Sequence, residues 1–77
     1  MNEQTIRWGI IGTGRIARAF AEGLKFTNNG KLHGIASRSL ASAQSFAQEW
    51  DIPSAFGNYQ ELAESDAIDA VYIATPH

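Results

Sequence analysis

The sequence contains no cysteine, which excludes disulfides and thiolate metal sites. Its two prolines, Pro53 and Pro76, leave long stretches free for regular elements. No apolar run approaches the ~20 residues that span a bilayer. Met1 is followed by polar Asn2, Glu3, Gln4 and Thr5, not by the charged start and apolar core of a leader. Excess positive charge is also missing. Six Lys and Arg against eight Asp and Glu leave a net charge of −2. That balance argues against nucleic-acid or membrane partners held by bulk charge, and a cytoplasmic location is expected. No Asp or Glu occurs between Glu22 and Glu49, a gap that bears on ligand choice below.

The chain has 77 residues, of which 44% are hydrophobic, so it is globular by composition. A chain of this size buries only about 60% of its unfolded surface. A complete dinucleotide-binding domain has about six strands in two halves. There are residues here for little more than one half, and a piece of a larger protein is expected. No internal repeat, low-complexity tract or linker is present.

Residues 9–20 read Gly-Ile-Ile-Gly-Thr-Gly-Arg-Ile-Ala-Arg-Ala-Phe. An apolar run ends in a glycine-rich corner at Gly12, Thr13 and Gly14, and a helical pattern starts at once. Gly12 permits a tight turn, Gly14 leaves room for a phosphate, and Ala17 lets the helix pack closely on the strand. The free N–H groups and positive dipole end of the helix then face an anion.

The spacing predicts a strand over residues 5–11 and a helix over 15–26, with Ile16, Ala17, Phe20, Ala21 and Leu24 on one stripe. A second strand is expected over 31–37. Ser39 is a candidate N-cap for a helix carrying Leu40, Ala43, Phe46, Ala47 and Trp50, ending near Asp51 ahead of Pro53. A short third strand fits 54–56. Asn58 with Glu61 resembles a capping box for a helix over 59–64, with Leu62 and Ala63 inward. A fourth strand fits 70–75.

This alternation predicts an α/β fold: a doubly wound, Rossmann-type parallel sheet, N-terminal half only, with strand order 3-2-1-4 and right-handed crossovers. Ligands of such sheets bind outside the carboxyl ends of the strands where the winding reverses. Gly12 to Ala17 and Thr75 to His77 both fall at that edge.

A free ribose 2′-hydroxyl is usually held by Asp or Glu about 20 residues past the glycines. Here the end of the second strand reads Ser37-Arg38-Ser39, with no carboxylate nearby. Two hydroxyls and a guanidinium suit a 2′-phosphate, since Arg offers donors in a fixed fork and keeps its charge. Read alone, Arg38 is a solvated arginine opening a helix; at this position the phosphate role is favoured. NADP is therefore favoured over NAD, and S-adenosylmethionine is disfavoured. The backbone N–H groups of Arg15 and Ile16 are expected to do more than the Arg15 side chain, and Arg18 is expected to be exposed.

The segments Arg-Trp-Gly-Ile-Ile-Gly-Thr-Gly-Arg-Ile-Ala, Ala-Ser-Arg-Ser and Asp-Ala-Val-Tyr-Ile-Ala-Thr-Pro-His, in that order, resemble the glucose–fructose oxidoreductase/inositol dehydrogenase (Gfo/Idh/MocA) family. The likeness is nearest to its NADP-dependent sugar and dihydrodiol dehydrogenase branch. The resemblance implies an oxidoreductase moving a hydride between a nicotinamide dinucleotide and a sugar, cyclitol or diol. It implies that Gly12, Gly14 and Ala17 form the diphosphate turn, lined by Thr13, Arg15 and Ile16. Ser37 and Arg38 match contacts to the adenosine ribose or its phosphate. Thr75 and Pro76 match the border of the nicotinamide side, and His77 stands where many members have Asn. The family's catalytic Lys, its downstream His or Tyr and its substrate domain all lie past residue 77, so no catalytic residue is assigned. A small polyol or sugar substrate and a homo-oligomer are expected of the intact protein. The alternative is a catalytically silent nucleotide-sensing or interaction domain on the same fold.

Other residues read as structural. His33 is expected to be structural or edge-exposed within its strand. Tyr59 and Tyr72 are expected to pack, Asp66 and Asp69 to serve turns. No spacing suits a metal.

Overall fold

The computed structural model describes residues 5–74; the expectations placed on Thr75, Pro76 and His77 lie outside them. The element order is β1 (Ile6–Ile11), α1 (Arg15–Leu24), β2 (Gly30–Ala36), α2 (Leu40–Trp50), β3 (Ser54–Phe56), α3 (Tyr59–Ala63) and β4 (Ala70–Ile73). All strand pairs are parallel, in the order β3-β2-β1-β4. This is the half Rossmann sheet that the alternating pattern predicts.

Successive residues of a strand point to opposite faces, and the two faces here are built differently. Ile10 and Ile35, both fully buried, join Ala17, Ala21, Ala43, Phe46 and Ala47 beneath α1 and α2. Fully burying one such Ile contributes about 1.5–3 kcal/mol. Alanines at 17, 21, 43 and 47 let both helices approach the sheet, and Phe46 fills the space between. Phe20 stacks on Tyr72 with ring centroids 4.1 Å apart, and Trp8 meets Phe20 edge-on at 5.2 Å. Tyr72 thus packs, as expected. On the other face, α3 lays the fully buried Leu62 over β1 and β2. A Cβ on Gly9 would come within 2.9 Å of Leu62, so that close approach depends on glycine.

The helix ends show local chemistry. Ser39 caps α2 by accepting from the Ser42 N–H at 3.2 Å, and Asn58 caps α3 by accepting from the Glu61 N–H at 2.8 Å. α2 ends where Asp51 turns left-handed, at φ 57°, before Pro53. α1 ends at Leu24, the last residue of the apolar stripe and two residues short of the expected boundary at 26. There the chain tightens, with Lys25 and Phe26 donating to Glu22 and Gly23, and the Thr27 hydroxyl bonding the Leu24 carbonyl. Phe26 is left 82% exposed. Gly23 in the last turn weakens the helix where Asn28 and Asn29 already favour a turn.

Three inward placements fail. Ile16 and Leu40 are exposed, and so is Ala63, because a five-residue α3 presents only Leu62 to the sheet. His33 lies inside β2, half-buried, where the β1–β2 register slips between Trp8 and Gly9.

Asp69 does more than serve a turn. Its carboxylate accepts from Arg7 Nη2 (2.8 Å), Nε (3.0 Å) and the Arg7 backbone N–H (2.8 Å), while the Asp69 N–H donates to the Arg7 carbonyl at 2.7 Å. Arg7 Nη2 also reaches the Asp66 carbonyl at 3.3 Å. This clamp fastens β4 to β1 at the end of the sheet away from the glycine corner. The Arg7 hydrogen bonds hold the Asp69 carboxyl at about 2, well below its ordinary value.

Candidate functional site

The carboxyl ends of the strands are laced by backbone hydrogen bonds. The Ala74 N–H donates to Ile11 O at 2.8 Å, the Gly12 N–H to Ala36 O at 2.8 Å, and the Ser37 N–H to Phe56 O at 3.2 Å. Ala74, Gly12 and Ser37 are thereby set in a row along one edge. The residues just past them meet in a cleft of about 440 Å³, lined by Gly12, Thr13, Gly14, Ser37, Arg38, Tyr59 and Ala74. Five sequence-predicted residues, Gly12, Thr13, Gly14, Ser37 and Arg38, so come together although 23 to 26 positions separate Gly12 and Gly14 from Ser37 and Arg38.

Gly12 has φ 108°, a conformation that side chains rarely adopt. That lets the chain leave β1 and enter α1 within three residues. Gly14 has an ordinary φ of −83°, and a Cβ there would meet nothing within 4 Å. Its value is the open space above it. Ala17 is fully buried, as close packing of α1 on the sheet demands.

The N-terminus of α1 differs from those of α2 and α3. Gly14 supplies no side-chain cap, and the first turn carries no acid. The first helical bond runs from the Arg18 N–H to Gly14 O, so the N–H groups of Arg15, Ile16 and Ala17 have no intrahelical acceptor. Free donors, the positive dipole end and vacant space over Gly14 together fit a diphosphate.

At the β2 end, the Ser37 hydroxyl accepts from the Ser39 N–H at 3.3 Å, which leaves its own proton to donate. Ser39 is spent on capping α2. Arg38 is exposed and takes part in neither of the two ion pairs seen among the described residues. Arg18, by contrast, binds Glu49 at 2.5 Å and lies over the Phe46 ring, joining α1 to α2. No acidic side chain lines the cleft.

Tyr59 is the residue that sequence reasoning missed. It lines the cleft as well as packing, because Asn58 caps α3 at the same edge of the sheet and sets Tyr59 as its first residue. The signal was the Asn58 cap following a strand, which puts the start of α3 at the ligand edge.

A second cleft of about 410 Å³, lined by Gly14, Arg15, Ile16 and Ala74, adjoins the first through Gly14 and Ala74. A third opening, about 240 Å³, lies between Leu24, Lys25, Lys31 and Trp50 at the other end of the sheet. No group of three or more metal-ligating side chains occurs among the described residues, and none of their helices is long and apolar enough to cross a membrane.

Comparison with known proteins agrees with this geometry. The chain is 43% identical over 74 residues to the trans-1,2-dihydrobenzene-1,2-diol dehydrogenase of Danio rerio, covering 94% of this chain and 22% of that protein. It superimposes with a TM-score of 0.87 and 31% identity on the 3-ketoreductase KijD10 of Actinomadura kijaniata, solved with NADP and TDP-benzene. That match covers 95% of this chain and 22% of the other. The scyllo-inositol dehydrogenase of Lactobacillus casei, solved with NAD(H) and scyllo-inositol, matches with a TM-score of 0.81 and 27% identity, over 95% and 22% of the two chains. The chain therefore spans about a fifth of the length of these relatives. A family model matches residues 6–77, and the chain belongs to that family, the GFO_IDH_MocA oxidoreductases with an NAD-binding Rossmann fold.

Proposed function

We propose that this chain is the cofactor-binding part of an oxidoreductase that uses NADP in preference to NAD and acts on a sugar, cyclitol or diol. One observation carries the reading. The cleft joins an uncapped helix N-terminus with Ser37 and Arg38, and no carboxylate lines it. The backbone N–H groups of Arg15 and Ile16 hold the diphosphate, and Thr13 lines it. The Ser37 hydroxyl and the Arg38 guanidinium hold the ribose 2′-phosphate, with the Tyr59 phenol in reach of the same space. A carboxylate there would repel that phosphate. The family resemblance assigns Thr75, Pro76 and His77 to the nicotinamide side.

When bound, the cofactor supplies hydride chemistry at nicotinamide C4. The residues described here bind and orient it, and no catalytic group is assigned among them. The dihydrodiol dehydrogenase, ketoreductase and inositol dehydrogenase activities of the relatives support the substrate class. Both NADP and NAD(H) occur among their complexes, so the preference rests on Ser37 and Arg38.

The test is titration with NADPH and NADH, wild type against Arg38→Ala. Loss of a charge-assisted contact costs about 1.5–3 kcal/mol, or roughly 10- to 100-fold in NADPH affinity. NADH affinity should change less than about threefold. Equal loss for both, or an NADH preference in the wild type, contradicts the NADP reading. Failure of both to bind contradicts the cofactor reading altogether.

A further inference from the structure

Both lysines of the sequence, Lys25 and Lys31, line one opening of about 240 Å³ at the end of the sheet away from the glycine corner. Leu24 and Trp50, the last residues of α1 and α2, line it too, and Lys31 is the second residue of β2. The polar side chains there are all donors. Neither lysine takes part in the ion pairs seen among the described residues, and no Asp or Glu lines the opening. Trp50 Nε1 is buried without a hydrogen-bond partner among the described residues, a costly state for a buried donor. The acceptors close by are already engaged. In the last turn of α1 the Glu22, Gly23 and Leu24 carbonyls accept from the N–H groups of Lys25, Phe26 and Thr27, and at the end of α2 the Ala47 carbonyl accepts from Ile52. Two helix C-termini bring about half a negative charge each, against two full positive charges on the lysines. The balance favours an anion.

We infer that this opening is a second ligand site, one that takes a small organic acid: a single carboxylate on an apolar body. The two carboxylate oxygens accept from both ammonium groups and from the indole N–H. Lys25 Nζ stands over the Trp50 ring, 4.8 Å from its centroid. Drawing that ammonium toward a carboxylate uncovers the indole edge, so that Nε1–H meets the same anion. The body of the acid rests on Ala21, Leu24 and Leu32, where it sheds water. A bare phosphate would leave those walls wet. A dinucleotide is too large for a space about half that of the cleft at the other end. The site is separate from the cofactor reading and does not depend on it.

The experiment titrates the ¹⁵N-labelled full-length protein with benzoate, benzamide and inorganic phosphate. It follows the Lys25 and Lys31 amides and the Trp50 indole N–H, whose peak a Trp50→Phe variant assigns. Benzoate should shift all three saturably, with a roughly millimolar Kd. Benzamide keeps the shape without the charge, and phosphate keeps charge without the apolar body; each should bind about tenfold more weakly or worse. A variant carrying both Lys25→Gln and Lys31→Gln should lose benzoate affinity by about tenfold or more. Both lysines are exposed, so the rest of the amide spectrum should stay as in the wild type. Equal binding of benzamide, or unchanged benzoate binding in the double variant, overturns the proposal, because the opening would then be an apolar groove. Equal binding of phosphate overturns it as well, leaving only a charged patch. So does the absence of a saturable shift, another segment of the protein then covering the opening. Shifts confined to Gly12, Gly14 and Arg15 would put the acid in the cofactor cleft and also overturn it. A protein that binds benzoate as described but neither NADPH nor NADH would keep this site and lose the cofactor reading.

Discussion

At φ 108°, Gly12 occupies backbone space that a side chain enters only at a cost of about 1–3 kcal/mol. Two residues on, Gly14 has an ordinary φ and open space where a Cβ would stand. The same substitution should therefore separate the two roles. Gly12→Ala should lower stability by about 1–3 kcal/mol in urea unfolding. Gly14→Ala should leave stability within about 1 kcal/mol of wild type while weakening NADPH binding at least tenfold by filling the phosphate space. Equal effects of both substitutions on stability would contradict that division. At this scale much was legible. Gly12, Gly14 and Ala17 are identifiable because each position favours a small residue, and Ser37 and Arg38 were placed at the cleft by the strand that precedes them. Tyr59 and Asp69 were not. A tyrosine beside a capping residue fits packing and ligand contact equally, and the partner that gives Asp69 its role lies 62 positions away.

Among the elements, β4 is held to β1 by backbone pairing and by the Arg7–Asp69 clamp. Asp69 is deprotonated in the fold down to about 2, below its ordinary 3.8. Its folded value is depressed, so its stabilisation is fully present above the ordinary value and is lost as pH falls from there toward about 2. The pair is about two-fifths exposed, so its effect is modest and weakens in salt. Asp69→Asn should lower the urea midpoint near neutral pH, and the gap from wild type should close as pH falls through that window. A gap that persists at the acid end would assign the effect to the amide and not to the charge. Element boundaries followed the sequence where capping residues fix them, at Ser39 and Asn58. They departed at the end of α1, expected at 26, where Gly23 and Thr27 closed the helix at Leu24, the last residue of the apolar stripe. Boundaries set by caps are local chemistry, and no capping side chain marked the end of α1 in the sequence.

For the molecule as a whole, the strand order leaves the outer edge of β4 without a partner among the described residues. Ile73 is 68% exposed and Val71 37% exposed on that strand. A short apolar edge of this kind recruits further strands. The 77-residue chain should therefore self-associate with rising concentration in sedimentation, and Ile73→Lys should suppress it. A monomer at all concentrations would contradict this. The fold class was legible at this scale because strand and helix patterns alternate without ambiguity, and parallel order follows from the crossovers. The coverage of Ile16, Leu40 and Ile73 was not, since an apolar residue in a pattern does not say what it meets.

On our proposal, one edge of the sheet holds an NADP-type dinucleotide between the glycine corner and Ser37-Arg38. The most direct measurement is an amide ¹H–¹⁵N titration of the isotope-labelled chain with NADPH and then with NADH. The prediction is that NADPH shifts the amides of Gly12, Gly14, Arg15 and Ile16 together with those of Ser37, Arg38 and Tyr59. NADH should move the first group more weakly and the second hardly at all. Shifts centred on Lys25, Lys31 and Trp50 at the far end of the sheet, or identical patterns for both cofactors, would contradict it.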